Sequence, residues 1–216
     1  MASIYVYHRI STKPLQWRTV ANAVAASASA AWADTGGSLY GVWRSQIGLP
    51  RDELTAVSYW LDARAAVDAS AKFLDGLDGV QKHSAKAMSP TLRPRDEEAP
   101  TQQGNYAFRQ FTTPPANWDE FLSLCAGAWP GFESSYDSQV IGLWRFADAV
   151  GDDIHSLLLT RRPDLAMWER SKIPADAEEA EVRRKLSRRY DLCTSTVVYT
   201  TTLLTASDVE DTARWT

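Results

Sequence analysis

Apolar and polar positions change period along this chain in a fixed order, and the order occurs twice. Residues 4–10, "IYVYHRI", and 106–111, "YAFRQF", are rich in aromatic and β-branched side chains, as half-buried strands are. Behind Pro14 the period lengthens, with Trp17, Val20, Ala21, Val24 and Ala28 at helical spacing; behind Pro115, Trp118, Phe121, Leu122 and Cys125 do the same. Two strands about a tight turn then follow each helix, over 38–47 with 53–60 and over 138–146 with 153–160. The pattern predicts a second helix over 62–77. Its counterpart is longer, with one helix through Leu165 and Trp168 that stops near Pro174 and a charged helix from Asp176 to Arg189 inserted after it. Closing strands are predicted near 80–88 and 192–204.

The two halves also share words. Gly41-Val42-Trp43-Arg44 and Gly142-Leu143-Trp144-Arg145 lie 101 positions apart, and the same spacing pairs Tyr5 with Tyr106, Thr12 with Thr113, Pro14 with Pro115 and Trp17 with Trp118. Past the hairpin the spacing reads as 100, pairing Glu53 with Asp153, Leu54 with Ile154 and Val57 with Leu157, as if the second turn were one residue shorter. The element order is β-α-β-β-α-β twice, which gives an α+β fold class: tandem ferredoxin-like repeats whose two antiparallel sheets face each other as an intrachain α/β barrel. The expected divisions are a first repeat over 1–88, a linker over 89–104, a second repeat over 105–205 and a tail over 206–216. Alternate strand residues would line a cavity between such sheets.

Composition narrows the partners. The 216 residues are 44% hydrophobic and 23% charged with a net charge of -4, so no basic field exists to hold nucleic acid. Cys125 and Cys193 both sit in apolar or β-branched runs and read as reduced structural thiols. No segment reaches the roughly 18 apolar residues of a membrane span, and the start has no basic stretch ahead of an apolar one, so a cytoplasmic protein is expected. Glycine-rich phosphate loops and the Gly-x-Ser-x-Gly elbow are absent.

"YAFRQFTTPPANWDEFLSL", "LYGVWRSQIGLPRDELTAVSYW" and "RRPDLAMWERS" resemble, in turn, the opening strand and helix, the Gly-x-Trp hairpin and the start of the second helix in NIPSNAP-like proteins of the dimeric α/β-barrel superfamily. The resemblance spans nearly the whole chain and is weakest over 170–190. It implies a barrel that binds or transforms a small molecule, by cofactor-independent oxygenation, isomerisation, cyclisation or haem chemistry, or else serves protein interaction and trafficking. The family's return strand often carries a His; the spacing of 100 places Ala56 or Ser156 there, with His155 one position away.

The candidate chemistry rests on few residues. His8 and Arg109 occupy equivalent places on the two opening strands, where a titratable imidazole and a fixed cation suit proton transfer beside an anionic or enolate substrate. With His155 they form the expected catalytic set. Arg44 and Arg145, each after a Trp, and the strand residues Tyr40 and Tyr59 are expected to hold a planar or carboxylate ligand, although packing is the better account of the Trp pair and an equal one for the Arg pair. No His pair has metal-ligand spacing, so no metal or other cofactor is expected; a haem variant would use His83 or His155 as axial ligand. The leading expectation is a small-molecule protein, with a homodimer left open. Its rival is a non-catalytic interaction or ligand-carrier module that uses the helix over 176–190.

Overall fold

A computed structural model describes residues 4–148 and 151–208. The expected C-terminal tail therefore lies outside the described residues from 209 onward. Among the described residues the chain is α+β, with eight strands and five α-helices, and its contacts divide it into two units.

Unit 1 comprises residues 4–88, 96–104 and 201–208. Its elements are β1 (Ile4–Thr12), α1 (Trp17–Trp32), β2 (Gly37–Ile47), β3 (Glu53–Trp60), α2 (Ala63–Asp75) and β4 (Val80–Arg93), the last as far as Met88. The strands are antiparallel in the order β4-β1-β3-β2. Trp17, Val20, Ala21, Val24, Ala28 and Trp32 form the buried stripe of α1, the predicted helical positions with one further turn. They meet Val6, Ile10, Val42, Leu54, Ala56 and Trp60 from the sheet.

Unit 2 comprises residues 89–95 and 105–200. It holds β5 (Asn105–Thr113), α3 (Trp118–Tyr136), β6 (Gln139–Phe146), β7 (Ile154–Arg162), α4 (Leu165–Arg170), α5 (Ala177–Asp191) and most of β8 (Ser195–Leu203), in the strand order β8-β5-β7-β6. Asp164 and Asp176 start the two closing helices by accepting hydrogen bonds from Met167 N (2.7 Å) and Glu179 N (2.8 Å). The inserted helix lies tightly on α3: Val182 reaches so far that a Cβ on Gly131 would stand 2.5 Å from it, and Lys185 Nζ donates to Gly127 O.

Two expectations are corrected. The linker expected over 89–104 begins as strand, because β4 continues to Arg93, and 96–104 belongs with unit 1. The hairpin spacing is 102 rather than 100: Gly41 faces Val57 while Gly142 faces Leu159, and Arg44 faces Leu54 while Arg145 faces Ser156. The second turn is longer by one residue, not shorter. Turn residues carry no register of their own, so only strand pairing reveals which residues correspond.

The shared Gly-x-Trp words have a steric cause. In β2 and in β6 the register slips just before the glycine, between Leu39 and Gly41 and between Val140 and Gly142. The indole two residues on folds back over the glycine, so a Cβ would lie 2.5 Å from Trp43 on Gly41 and 2.3 Å from Trp144 on Gly142. Both indoles are fully buried, and only a glycine leaves room for them. Gly142→Ala should destabilise the protein by about 1–3 kcal/mol, read as a lower urea midpoint; an unchanged midpoint would show that the indole moves aside freely.

Candidate functional site

The helix-facing positions of β5 and β7 are Ala107, Arg109 and Phe111 on one strand and Leu158, Thr160 and Arg162 on the other. Between them and α3, α4 and α5 lies a cavity of about 140 Å³. Its aromatic wall is Trp129, Phe132, Trp168 and Tyr190, and its cations are Arg109, Arg162, Arg183, Arg189 and Lys172. No Asp or Glu lines it.

Lys172 is answered by Glu169 at 2.9 Å, but none of the four arginines has a carboxylate partner among the described residues. Arg109 lies over the rings of Tyr190 (5.3 Å) and Trp168 (5.9 Å). Arg162 lies over Trp168 (4.7 Å) and Phe132 (5.0 Å), and Nη1 donates to Thr160 Oγ1 while Nε is buried without a hydrogen bond. Arg189 is buried against Phe111 with Nη1 on Cys125 Sγ, and its Nε is likewise unanswered. Ring faces attract guanidinium, by about 0.5–2 kcal/mol each, but they do not neutralise it. Burial, and then the charge of Arg109, pulls the Arg162 pKa down to about 10. The pocket is therefore a standing excess of positive charge beside flat apolar walls, which suits a ligand that brings the missing negative charge on an aromatic body.

The nearest acid by repeat position is already committed. Glu133 accepts from Arg93 at 2.5 and 3.1 Å and from Val140 N at 2.8 Å.

At the same positions in unit 1 the layer holds two buried indoles, Trp32 and Trp60. With the corrected register, Arg109, Thr160, Arg162 and Glu133 answer to His8, Ser58, Trp60 and Trp32. There Trp60 Nε1 donates to Ser58 Oγ (2.7 Å), Ser58 Oγ and His8 Nε2 are 3.0 Å apart, and Trp32 packs 5.5 Å from Trp60. Because Ser58 already accepts from Trp60, its own proton is available to His8 Nε2. Burial, with some help from His83, drives the His8 pKa down to about 3. This corrects the expectation of an imidazole that titrates near neutrality: His8 is a neutral core residue in unit 1, and Arg109 belongs to the cavity of unit 2.

The remaining expected residues are dispersed. Arg44 stacks 3.8 Å above Trp17 on the helix side of unit 1, with its pKa lowered first by burial. Tyr40 and Tyr59 are buried edge-on about Tyr5, at 5.2 and 5.3 Å, and Tyr59 bonds the Glu97 carboxylate. His155 shares a hydrogen bond with Thr112 (3.3 Å) and borders a separate hollow of about 260 Å³ with Arg145, which is exposed, and Asp153. Thus of the seven expected residues only Arg109 lines the arginine cavity. Arg162, Arg183, Arg189, Trp168 and Tyr190 went unnoticed because the spacing of 100 hid the exchange of Trp60 for Arg162, and because the charge run of α5 looks like a solvated face.

Haem does not fit these residues. No histidine lines the cavity, His83 Nε2 is bonded to Asp75 at 2.8 Å, and both hollows fall below the roughly 300–1,000 Å³ of pockets that enclose larger ligands. No cluster of three or more potential metal ligands occurs among the described residues, and no described helix is long and apolar enough to cross a membrane.

No protein-family model matches the chain, and no curated protein matches it by sequence. Solved structures do resemble it. A candidate monooxygenase from Lactobacillus acidophilus NCFM superposes with a TM-score of 0.62 over 98% of this chain and 100% of its own, at 10% identity. An anthrone oxidase-like protein gives 0.60 over 94% and 92%, at 14% identity. A mutant chlorite dismutase from Candidatus Nitrospira defluvii gives 0.63 over 94% and 92%, at 7% identity. The chain shares its fold with these solved structures.

Two stability measurements test the contrast between the units. Between pH 6.5 and about 3 the unfolded chain binds a proton at His8 that the folded chain refuses, so stability falls as pH drops through that window. His8→Gln should flatten the profile between pH 6.5 and about pH 5, where the wild-type slope from this residue approaches about 1.4 kcal/mol per pH unit; an unaltered slope would place the proton elsewhere. Arg162→Leu should raise stability at neutral pH by about 1–4 kcal/mol. Since the folded pKa of Arg162 is depressed to about 10, the penalty is complete below that pH, and the gain should shrink as pH rises past it. A loss of stability in Arg162→Leu would make the guanidinium a structural group.

Proposed function

We propose that this chain is a small-molecule-binding protein of the oxygenase, isomerase or cyclase type, and that it takes a small aromatic anion into the cavity of unit 2 without a metal, haem or nucleotide. The observation that carries the reading is the set of four arginines on an aromatic wall with no acid among them. A fold does not retain buried uncompensated charge for its own stability, so such a set marks a place where a ligand completes the electrostatics. Guanidinium groups that hold a carboxylate would also favour the enolate or phenolate formed by proton loss beside it, and Tyr190 puts a phenol on the same wall.

Two further points belong to this reading. The strand orders β4-β1-β3-β2 and β8-β5-β7-β6, with the matching slips before Gly41 and Gly142, support tandem ferredoxin-like repeats of the NIPSNAP-like kind. A cytoplasmic setting fits a ligand drawn from soluble metabolites. The rival interaction module loses its motive where α5 turns Arg189 and Leu186 inward to wall the cavity.

Calorimetry with benzoate tests the proposal. One molecule should bind per chain, benzyl alcohol should not, and Arg109→Gln should weaken benzoate by about tenfold or more. Equal binding of the acid and the alcohol would remove the charge from the account.

A further inference from the structure

Charge and volume together say more about the ligand than that it is an anion. The four guanidiniums do not stand alike. Arg189 is turned into the core, with Nη1 on Cys125 and its plane against Phe111. Arg109 and Arg162 instead both lie near one indole, Trp168, at 5.9 and 4.7 Å, and Arg183 completes the charged side of the lining. A single carboxylate satisfies one planar guanidinium fork, or bridges two edges, and leaves the rest of the charge in a medium where each uncompensated ion costs several kcal/mol. Two acidic groups, set apart on one rigid body, would meet both Arg109 and Arg162 while that body lay along Trp168.

Volume limits the body. A cavity of about 140 Å³ is close to an apolar one of roughly 150 Å³ that accepts benzene, so a single six-membered ring takes up the enclosed space, and acidic groups on it must reach towards the side where Arg109, Arg162 and Arg183 are only partly buried. The copy in unit 1 points the same way. There the corresponding volume is filled by the indoles of Trp32 and Trp60, and unit 2 has Glu133 and Arg162 in their place, with Glu133 drawn aside by Arg93. What unit 2 lacks relative to unit 1 is aromatic volume, and what it has gained is positive charge.

We propose that the ligand of the unit 2 cavity is a monocyclic aromatic dianion, a single ring bearing two acidic groups held by Arg109 and Arg162. This rests on the reading of the cavity as the binding site.

The test is calorimetric titration of the full chain at constant ionic strength with benzoate, the three benzenedicarboxylate isomers and inorganic phosphate. At least one dicarboxylate should bind about tenfold or more tightly than benzoate and phosphate. In Arg162→Gln that dicarboxylate should bind within about threefold of benzoate measured on the same variant, its advantage gone; Arg109→Gln, read by the same ratio, is the second variant should the first not fold. Benzoate binding as tightly as every dicarboxylate would overturn the dianion and leave the proposed function standing. Phosphate binding most tightly would overturn the aromatic body. If none of the aromatic acids binds, the proposed function fails and this inference falls with it.

Discussion

The second unit is organised around a charge imbalance. Four arginines share a space of about 140 Å³ with no acid on its walls, and two of them keep a buried Nε that nothing answers. The rest of the unit makes that tolerable. Trp168, Tyr190, Phe132 and Phe111 turn ring faces to the guanidiniums, and α5 closes the space through Val182 against Gly131. Nearby acids are kept busy elsewhere: Glu133 with Arg93, Glu179 with Arg170 at 2.7 and 2.9 Å, and Glu181 with Arg184.

Under this charge lies a scaffold both units use. A strand slip places a glycine under the indole of the Trp two residues later, and this happens at Gly41 and at Gly142 with the same geometry. The indole fills one side of the sheet where a longer side chain at the glycine would collide. That fixes how the hairpin pairs, and pairing fixes which residues of β3 and β7 look towards the helices. Because the scaffold is held by this local packing, the helix-facing residues are left to differ, and they do.

Much of the fold was legible in the sequence because periodicity and repeated packing words are local. The α1 stripe, the hairpins and the break before α5 follow from spacing alone. The linker was misread because Ser89-Pro90 and the charges after it look like a connector, yet β4 runs through them to Arg93. Site residues were harder for a different reason. His8 and Arg109 hold like positions on β1 and β5, but likeness of position is not likeness of role: one neighbour pair is Ser58 and Trp60, the other Thr160 and Arg162. Seeing that requires the spacing of 102, and Val57 with Leu159 is no better a sequence match than Val57 with Leu157.

The two units fill the layer between sheet and helices in different ways within one chain. In unit 1 the polar members of the layer carry no charge, with Trp60 on Ser58, Ser58 on His8, and the imidazole left neutral by burial. Such a layer has nothing to offer a ligand. In unit 2 the same backbone positions carry groups that oppose one another, and the imbalance is confined to the helix side of β5 and β7. A fold can sustain that arrangement only if the scaffold elsewhere is sound, and each unit keeps its own buried Gly-x-Trp packing. The inserted α5, which supplies Arg183, Leu186, Arg189 and Tyr190 to the lining, is what encloses these like charges in a cavity.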